Sequence, residues 1–452
     1  MAGDVTVSVQ FGQISTSGTG AANFTKAGFG TPKAWIIIIG RDLSDDGDPN
    51  PRSNISIGFG DGTNNFCIAH QDENFNAKVD CDAIKSNTKS YIGIDPIGVI
   101  EIDGTSTTIT DGVRLTNTTN TPGNAQFATV IMFGGADLNI SLQRTAIASG
   151  QDGTVKIPHS GFTDGDDKLI FFIGTDIGTE DNPTSGINNS FGVCHATGSD
   201  AGGHTFVQRS LGWASDHNNT VGTPHAEICT DRVLNIITEA GDVDWGLEVT
   251  NLDHSPAEWT ITTRDKAAGN GMEVYSLALD LDDRSAKVGS VDSPTVTTFS
   301  ISGMGFKPQY VGMMLTDTDT ESVARAAIET ADVQAGVHGI SSNSGSGEEA
   351  CESWYNAENV ATTDTATLFR SRVIDLRDHD TSQIVQNHSH SSFDSGGVTH
   401  TVNIENETVA KKWGFWAIEE AAVPDVTDEE WAGTLGFGQQ EPVREPNEIV
   451  SY

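Results

Sequence analysis

The sequence predicts an all-β protein of three tandem antiparallel β-sandwich or jelly-roll-like domains, followed by an extended C-terminal arm. One observation is a repeated block: a Gly-Phe turn, a Pro or acidic spacer and an apolar run begin at Gly28, Gly161 and Gly305. A second is composition, because the chain is rich in Gly, Thr, Ser, Asn and Asp, which suits short strands joined by turns. The copies lie too far apart for a solenoid, since each has enough residues for a core of its own.

Each copy shows the same succession of predicted strands. Residues 5–11 alternate apolar and polar side chains, as a half-buried strand does, and similar lead-ins occupy residues 138–142 and 296–301. After each Gly-Phe turn comes an apolar strand, at residues 36–39, 169–172 and 310–315. Each copy closes on another apolar strand, at residues 127–133, 274–279 and 413–418. Seven or eight short strands with regular turn signals favour a sandwich over a helical fold.

These signals divide the chain into four parts. Residues 1–146 form the first β-sandwich repeat with its N-terminal strand, 147–290 the second, 291–420 the third, and 421–452 the arm. The arm contains three prolines, which remove backbone donors that a central strand needs. Among its many acids it spaces three aromatic side chains, Trp431, Phe437 and Tyr452. We expect these anchors to pack on a neighbouring subunit or another protein during assembly.

The charge balance is strongly acidic, with 63 Asp and Glu against 25 Lys and Arg and a net charge of −38. Such a surface repels nucleic acid and anionic membranes, so we expect no nucleic-acid partner. No apolar stretch approaches the length of a membrane-spanning helix, so we expect no membrane insertion. Residues 1–4 lack the features of a signal peptide. Two explanations of the charge stay open: a saline habitat, and divalent-cation binding by selected clusters.

Two groups of residues are candidate metal ligands. His388 and His390 stand two apart on a predicted strand, and His400 follows the next turn, so their imidazoles could share one face and bind iron, zinc or nickel. Asp42, Asp45, Asp46 and Asp48 lie close together in one loop, where their carboxylates could bind calcium as a cofactor. Further acidic loops contain Asp164, Asp166 and Asp167, and Asp280, Asp282 and Asp283. Surface histidines and a solvated acidic face are the alternatives.

No enzyme motif is present: the chain lacks a nucleophile elbow, a phosphate loop, a zinc-protease motif and a dinucleotide fingerprint. We therefore expect a protein that is not an enzyme. Five tryptophans are candidates for stacking on sugars or for filling β cores, namely Trp213, Trp245, Trp259, Trp354 and Trp413. The five cysteines do not have zinc-motif spacing, and both buried thiols and disulfides stay open.

The repeated block resembles a domain found repeatedly in structural proteins of tailed bacterial and archaeal viruses. That domain has a Gly-Phe-x-Pro-Lys-Ala start, a Gly-Phe-Ala-Asp-Gly-like stretch and a Tyr-Leu-Ala-Leu-Gly-Gly-like closing strand. The matching segments here are 28–34 (with Pro-Lys-Ala one residue further on), 58–62 and 130–135 in the first copy, 275–279 in the second, and 305–308 and 413–417 in the third. The second copy lacks the proline.

The resemblance implies a non-enzymatic virion surface protein, a head turret, spike or tail fibre, of a tailed virus; the acidic composition favours a saline habitat. Such a protein is made in the host cytoplasm and exposed on the virion. We expect it to be homo-oligomeric, because viral appendages follow closed rotational symmetry, and to contact other virion proteins and a host surface glycan. The alternative is a carbohydrate-binding adhesin of a halophilic cell.

Overall fold

All secondary-structure elements assigned in the described residues are β-strands, and these strands pair antiparallel. This confirms the predicted all-β fold class. The computed structural model describes residues 4–40, 52–73, 81–95, 97–121, 126–150, 153–176, 179–215, 217, 224–238, 242–266, 271–295, 297–316, 318, 321, 333–341, 348–356, 365–370, 373–377, 384–405 and 410–420. Over these ranges, no helix has the length and apolar character needed to cross a membrane.

The first sandwich has a larger sheet of order β1-β10-β3-β4-β5-β6 and a smaller one of order β2-β9-β8-β7. Its strands are β1 (Thr6–Gln13), β2 (Ala21–Thr25), β3 (Ala34–Gly40), β4 (Arg52–Gly60), β5 (Asn65–Glu73), β6 (Cys81–Ser86), β7 (Tyr91–Ile94), β8 (Ile100–Ile109), β9 (Gly112–Asn120) and β10 (Phe127–Gly134).

The second sandwich consists of β11 (Asn139–Ile147), β12 (Thr154–Pro158), β13 (Lys168–Thr175), β14 (Thr184–Ser185), β15 (Ile187–Ser199), β16 (Gly203–Ser215), β17 (His225–Cys229), β18 (Leu234–Ile237), β19 (Val243–His254), β20 (Ala257–Asp265) and β21 (Met272–Asp280). Its sheets have the orders β11-β21-β13-β15-β16-β17 and β12-β20-β19-β18. The short β14 instead pairs with β6, extending the larger sheet of the first sandwich.

The third sandwich consists of β22 (Ala286–Asp292), β23 (Thr298–Ile301), β24 (Pro308–Thr316), β25 (Val333–Ser341), β26 (Glu349–Asn356), β27 (Thr365–Arg370), β28 (Ile374–Arg377), β29 (Ile384–Asp394), β30 (Gly397–Glu405) and β31 (Lys412–Glu419). Its sheets have the orders β22-β31-β24-β25-β26-β27 and β23-β30-β29-β28. Apart from β14, the three sandwiches therefore share one strand order.

Strand pairing moves the expected boundaries toward the N-terminus. The first strand of each sandwich pairs with its own last strand: β11 pairs with β21, and β22 pairs with β31. The expected divisions after residues 146 and 290 would therefore cut through β11 and β22. The pairing places the divisions between β10 and β11 and between β21 and β22 instead.

The repeated Gly-Phe turn has a clear physical basis. Gly28, Gly161 and Gly305 all have φ between 75° and 87°, a left-handed conformation that glycine adopts at little cost. The phenylalanine after each glycine packs on the core of its own sandwich: Phe29 on the first, Phe162 on the second and Phe306 on the third. The motif therefore fixes the chain direction just before the central strand of each larger sheet.

The central strands β3, β13 and β24 are buried on both faces. In β3, Trp35 and Ile37 pack between the two sheets of the first sandwich, whereas Ile36 and Ile38 face a second core outside it. That second core joins side chains from the larger sheets of all three sandwiches. The three sandwiches therefore pack against one another, and Gly3–Ala421 form one compact unit.

Aromatic rings join the three sandwiches within this shared core. Phe133 of the first contacts Phe171 of the second and Tyr310 of the third, with ring centroids 5.8 and 6.3 Å apart. Phe171 in turn contacts Trp416 of the third, at 5.8 Å. Each sandwich thus contacts both others. We call the second core, which joins side chains from the larger sheets of all three sandwiches, the shared core.

A second ring cluster shows that equivalent positions meet. His70, Trp213 and Trp354 occupy corresponding register positions on β5, β16 and β26. Their ring centroids lie 5.1 to 5.8 Å apart, and Trp213 Nε1 donates to His70 Nδ1 at 3.1 Å. Three equivalent side chains in mutual contact indicate an approximate three-fold relation between the sandwiches.

Candidate functional site

The predicted histidine group lies in the third sandwich but is not assembled as a metal site. His388 and His400 are fully buried and flank Phe299, with their own ring centroids 6.2 Å apart. Burial lowers the pKa of His388 to about 3, so its imidazole is neutral. His390 is half-buried against Phe393. Among the described residues, these three histidines do not form a group with converging donor atoms.

The other predicted sites fall partly outside the described residues. Asp42, Asp45, Asp46 and Asp48, the expected calcium loop, lie there, as do the arm side chains Trp431, Phe437 and Tyr452. The tryptophans suggested for sugar stacking are described, and all five are buried in the cores. None of them therefore presents an open ring face to a sugar. All five cysteines are also buried.

Two of the acidic loops form internal contacts. Asp280 on β21 is buried and pairs with the fully buried Lys168, with Nζ and Oδ1 2.7 Å apart. The same ammonium donates to the carbonyl oxygens of Thr163 and Asp166, so its charge is compensated. Asp167 accepts from the backbone of Ala286 at 2.9 Å. These carboxylates therefore hold the loop before β13 in place.

A four-residue cluster at one end of the second sandwich has the composition of a metal centre. It consists of Asp164, Asp200, His204 and His254, and one donor atom from each lies within 4.8 Å of the others. His254 Nδ1 lies 2.8 Å from Asp200 Oδ1 and 3.6 Å from Asp164 Oδ1. His204 Nε2 lies 3.2 Å from the same Asp200 oxygen. We call this set the His-Asp cluster.

The four side chains come from four separate segments of the second sandwich. Asp164 lies in the loop before β13, Asp200 in the turn between β15 and β16, His204 at the start of β16, and His254 at the end of β19. The hairpin β15–β16 has 13 residues in each strand, against 9 in each strand of β4–β5 in the first sandwich. This extension carries Asp200 and His204 out to the end of β19.

The cluster is ordered by backbone contacts. Asp164 Oδ1 accepts from the backbone N–H of Asp200 at 2.9 Å, and Asp200 Oδ2 accepts from that of His254 at 3.2 Å. Hydrogen bonds from His254 and then His204 lower the pKa of Asp200 to about 2, so it is ionised at neutral pH. His159, stacked on Phe162, contacts the His254 ring edge-on, with centroids 5.6 Å apart. The His254 ring thus packs against His159, which is itself stacked on Phe162.

A polar cavity of about 520 Å³ lies between the first two sandwiches. Its lining includes Lys85 of the first sandwich and Asp176, Asn188 and Glu273 of the second. Lys85 Nζ lies 3.3 Å from Glu273 Oε2, and both side chains are buried. Burial, and then a hydrogen bond with Asp244, raise the pKa of Asp176 to about 7. The cavity has the size and polarity for a sugar or another small polar ligand.

The chain matches no family model, no curated protein and no solved structure. The function must therefore be argued from the residues themselves. Sequence reasoning identified Asp164 as a candidate ligand but missed Asp200, His204 and His254. The available signal was the Asp-x-x-x-His spacing of Asp200 and His204 at the β15–β16 turn. The second histidine, His254, lies 50 residues after His204 (204 to 254), and only the packing of the two sheets brings it close.

Proposed function

We propose that the protein is a non-enzymatic structural protein of a virion surface, a head turret, spike or tail fibre of a tailed virus from a saline habitat. The observation that supports this most directly is the fusion of three sandwiches of one strand order around the shared core. Viral appendages commonly place identical domains around a closed rotation axis. Here one chain supplies three such domains, which pack together through the shared core.

The described surface supports a well-solvated exterior. Large apolar side chains that are exposed in the described residues are Ile97 and Val99, on the turn between β7 and β8. The acidic composition keeps such a surface hydrated in concentrated salt. Homo-oligomerisation and contact with other virion proteins remain predictions, and the arm with Trp431, Phe437 and Tyr452 is the segment we propose for them.

Labelling of particles tests this proposal. An antibody raised against residues 4–420 should decorate the exterior of particles purified from an infected or induced culture, as seen by negative-stain electron microscopy. The regular position of the label would distinguish head from tail. Label on the cell envelope, with none on particles, would contradict the proposal and favour a cellular adhesin.

A carbohydrate-binding adhesin is the second candidate, and the polar cavity is the observation that favours it. A glycan screen of the wild-type protein against an Asn188→Leu variant tests it, because Asn188 lines the cavity and donates to Asp176 at 3.2 Å. Binding that disappears in the variant would support recognition of a glycan in the cavity. Binding that is unchanged would place any glycan site elsewhere.

A further inference from the structure

We propose that the His-Asp cluster binds a divalent transition metal, zinc in the first instance, which cross-links the two sheets of the second sandwich. Two imidazole nitrogens and two carboxylate oxygens are a donor set that zinc accepts. Calcium prefers oxygen ligands throughout, so this cluster should select against it. The expected calcium loop and the expected histidine site of the third sandwich are separate from this cluster.

The distances support four-coordinate binding. In a tetrahedral zinc site with bonds of about 2.0–2.1 Å, neighbouring ligand atoms lie about 3.3 Å apart. The three donor pairs given above are separated by 2.8, 3.2 and 3.6 Å. Small side-chain adjustments would therefore convert the hydrogen-bonded arrangement into a coordinating one, with each donor contributing the atom that already faces the centre.

The charge balance also supports a divalent cation. Two carboxylates close together repel each other, and a divalent cation bound between them would offset that repulsion. A divalent cation brings the sum of two carboxylates and two neutral imidazoles to zero. The His204 and His254 side chains are only 5 and 12% exposed, whereas the Asp164 and Asp200 side chains, 43 and 37% exposed, are accessible to an ion from solvent.

The position of the cluster indicates what the metal would do. Asp200 and His204 belong to the β15–β16 hairpin of the larger sheet, whereas His254 ends β19 of the smaller sheet. A metal held by both would cross-link the two sheets where the β15–β16 turn meets the end of β19. In a chain with −38 net charge, such a cross-link would also resist the electrostatic repulsion between the sheets.

Zinc titration of the full-length protein tests the proposal, after dialysis against a chelator. We expect one zinc ion bound per chain by isothermal titration calorimetry, a rise in the melting temperature on addition of zinc, and no comparable rise with equimolar calcium. His204→Gln and His254→Gln should weaken zinc binding by at least about 100-fold, since even lost outer-shell partners cost 10- to 100-fold. His390→Gln, in the third sandwich, is the matched control and should leave binding unchanged.

Asp164→Asn guards against misfolded variants, because the Asp164 side chain is 43% exposed and its replacement should leave the fold intact. We expect weaker zinc binding in this variant, with an unchanged metal-free melting temperature. The proposal is overturned if the wild-type protein binds no stoichiometric zinc. It is equally overturned if zinc binding survives both histidine substitutions, or if calcium produces the same thermal shift. In those cases the cluster is a set of hydrogen bonds between histidines and aspartates.

Discussion

At the residue scale, the least expected side chain is Glu352 on β26. It alternates with Ala350 and Trp354, so it points into the shared core, and it is fully buried. Within the described structure neither of its carboxylate oxygens has a hydrogen-bond partner, and burial raises its pKa well above the usual range. The corresponding register positions of the other two sandwiches hold Ile68 and Leu211. The approximate three-fold relation thus places one carboxyl where the other sandwiches have aliphatic groups.

We therefore predict that Glu352→Leu stabilises the protein by about 1–3 kcal/mol, because an unpaired polar group leaves the apolar core. Chemical denaturation at pH 8 measures the change. The reverse exchange, Leu211→Glu at the corresponding position, should lower stability. A destabilised Glu352→Leu variant would mean that the carboxyl makes a stabilising interaction in the folded protein.

The Asp176 carboxyl gives a prediction for pH dependence. Its pKa of about 7 in the fold lies above the value of about 4 in an unfolded chain, so the fold favours the protonated form. The contribution of this carboxyl to stability should therefore be fully present below about pH 4 and should be lost as the pH rises through 7. Because Asp176 and Asp244 share a hydrogen bond, this loss belongs to the pair.

Asp176→Asn should remove most of that loss, because an amide does not ionise. Melting temperatures of the two proteins should be similar at pH 5 and should diverge at pH 8, with the variant more stable. Parallel pH profiles for the wild type and the variant would contradict the assignment.

At the element scale, β14 is the one strand, among those assigned in the described residues, that pairs with a strand of another sandwich. Thr184 and Ser185 pair with Ala83 and Asp82 of β6, and Gly186 N–H donates to Cys81 O at 2.9 Å. Without it, β6 would be the free edge of the larger sheet. Uncovered edges present unpaired backbone groups that recruit other chains.

We predict that replacing Thr184 and Ser185 by prolines exposes the edge of β6. Proline has no N–H to donate, so the pairing is lost without a change in chain length. Hydrogen exchange of β6 should accelerate, and light scattering should show concentration-dependent association. Replacing the same two residues by alanines keeps the backbone donors and should change neither. Unchanged exchange in the proline variant would show that β14 does not protect this edge.

At the scale of the whole molecule, the shared core packs the larger sheets of the three sandwiches against one another. The second sandwich contributes Leu169, Phe171, Ile173 and Phe191 to it, and all four are fully buried. Excision would expose this apolar face to water. The larger sheets therefore depend on one another in a way that tandem domains on a string do not.

We predict a single cooperative unfolding transition for the full chain, because the shared core couples the sandwiches. The excised segment 136–284 should aggregate or bind a hydrophobic dye. Differential scanning calorimetry of the full chain and dye binding by the fragment measure the two outcomes. Three separate calorimetric transitions, or a soluble and stable fragment, would show independent domains.

Salt should stabilise the molecule. With a net charge of −38, repulsion reaches about 30 Å at 0.01 M salt but is screened within about 3 Å at 1 M. The melting temperature should therefore rise between these concentrations. Potassium chloride and sodium chloride should act alike if screening is the cause. A flat response would argue against a saline habitat.

The sequence by itself determined the local structure of this protein. Its three Gly-Phe turns, each with a glycine at positive φ, and its period-two and apolar runs were enough to predict an all-β chain with three copies of one pattern. These signals are local, because turn chemistry and strand alternation depend on neighbouring residues. The uninterrupted apolar runs of β3 and β13 also carried the signal of strands buried on both faces, although the sequence does not say what covers the second face.

Only the tertiary structure decided what lies between the copies. The shared core, the meeting of His70, Trp213 and Trp354, and the His-Asp cluster all join residues that are far apart in the chain. The histidine pair at 388 and 390 has suggestive spacing, yet its sheet places His388 in the core. A site depends on which loops the packing of sheets brings together, and that packing is set by the summed burial of many side chains rather than by any local motif.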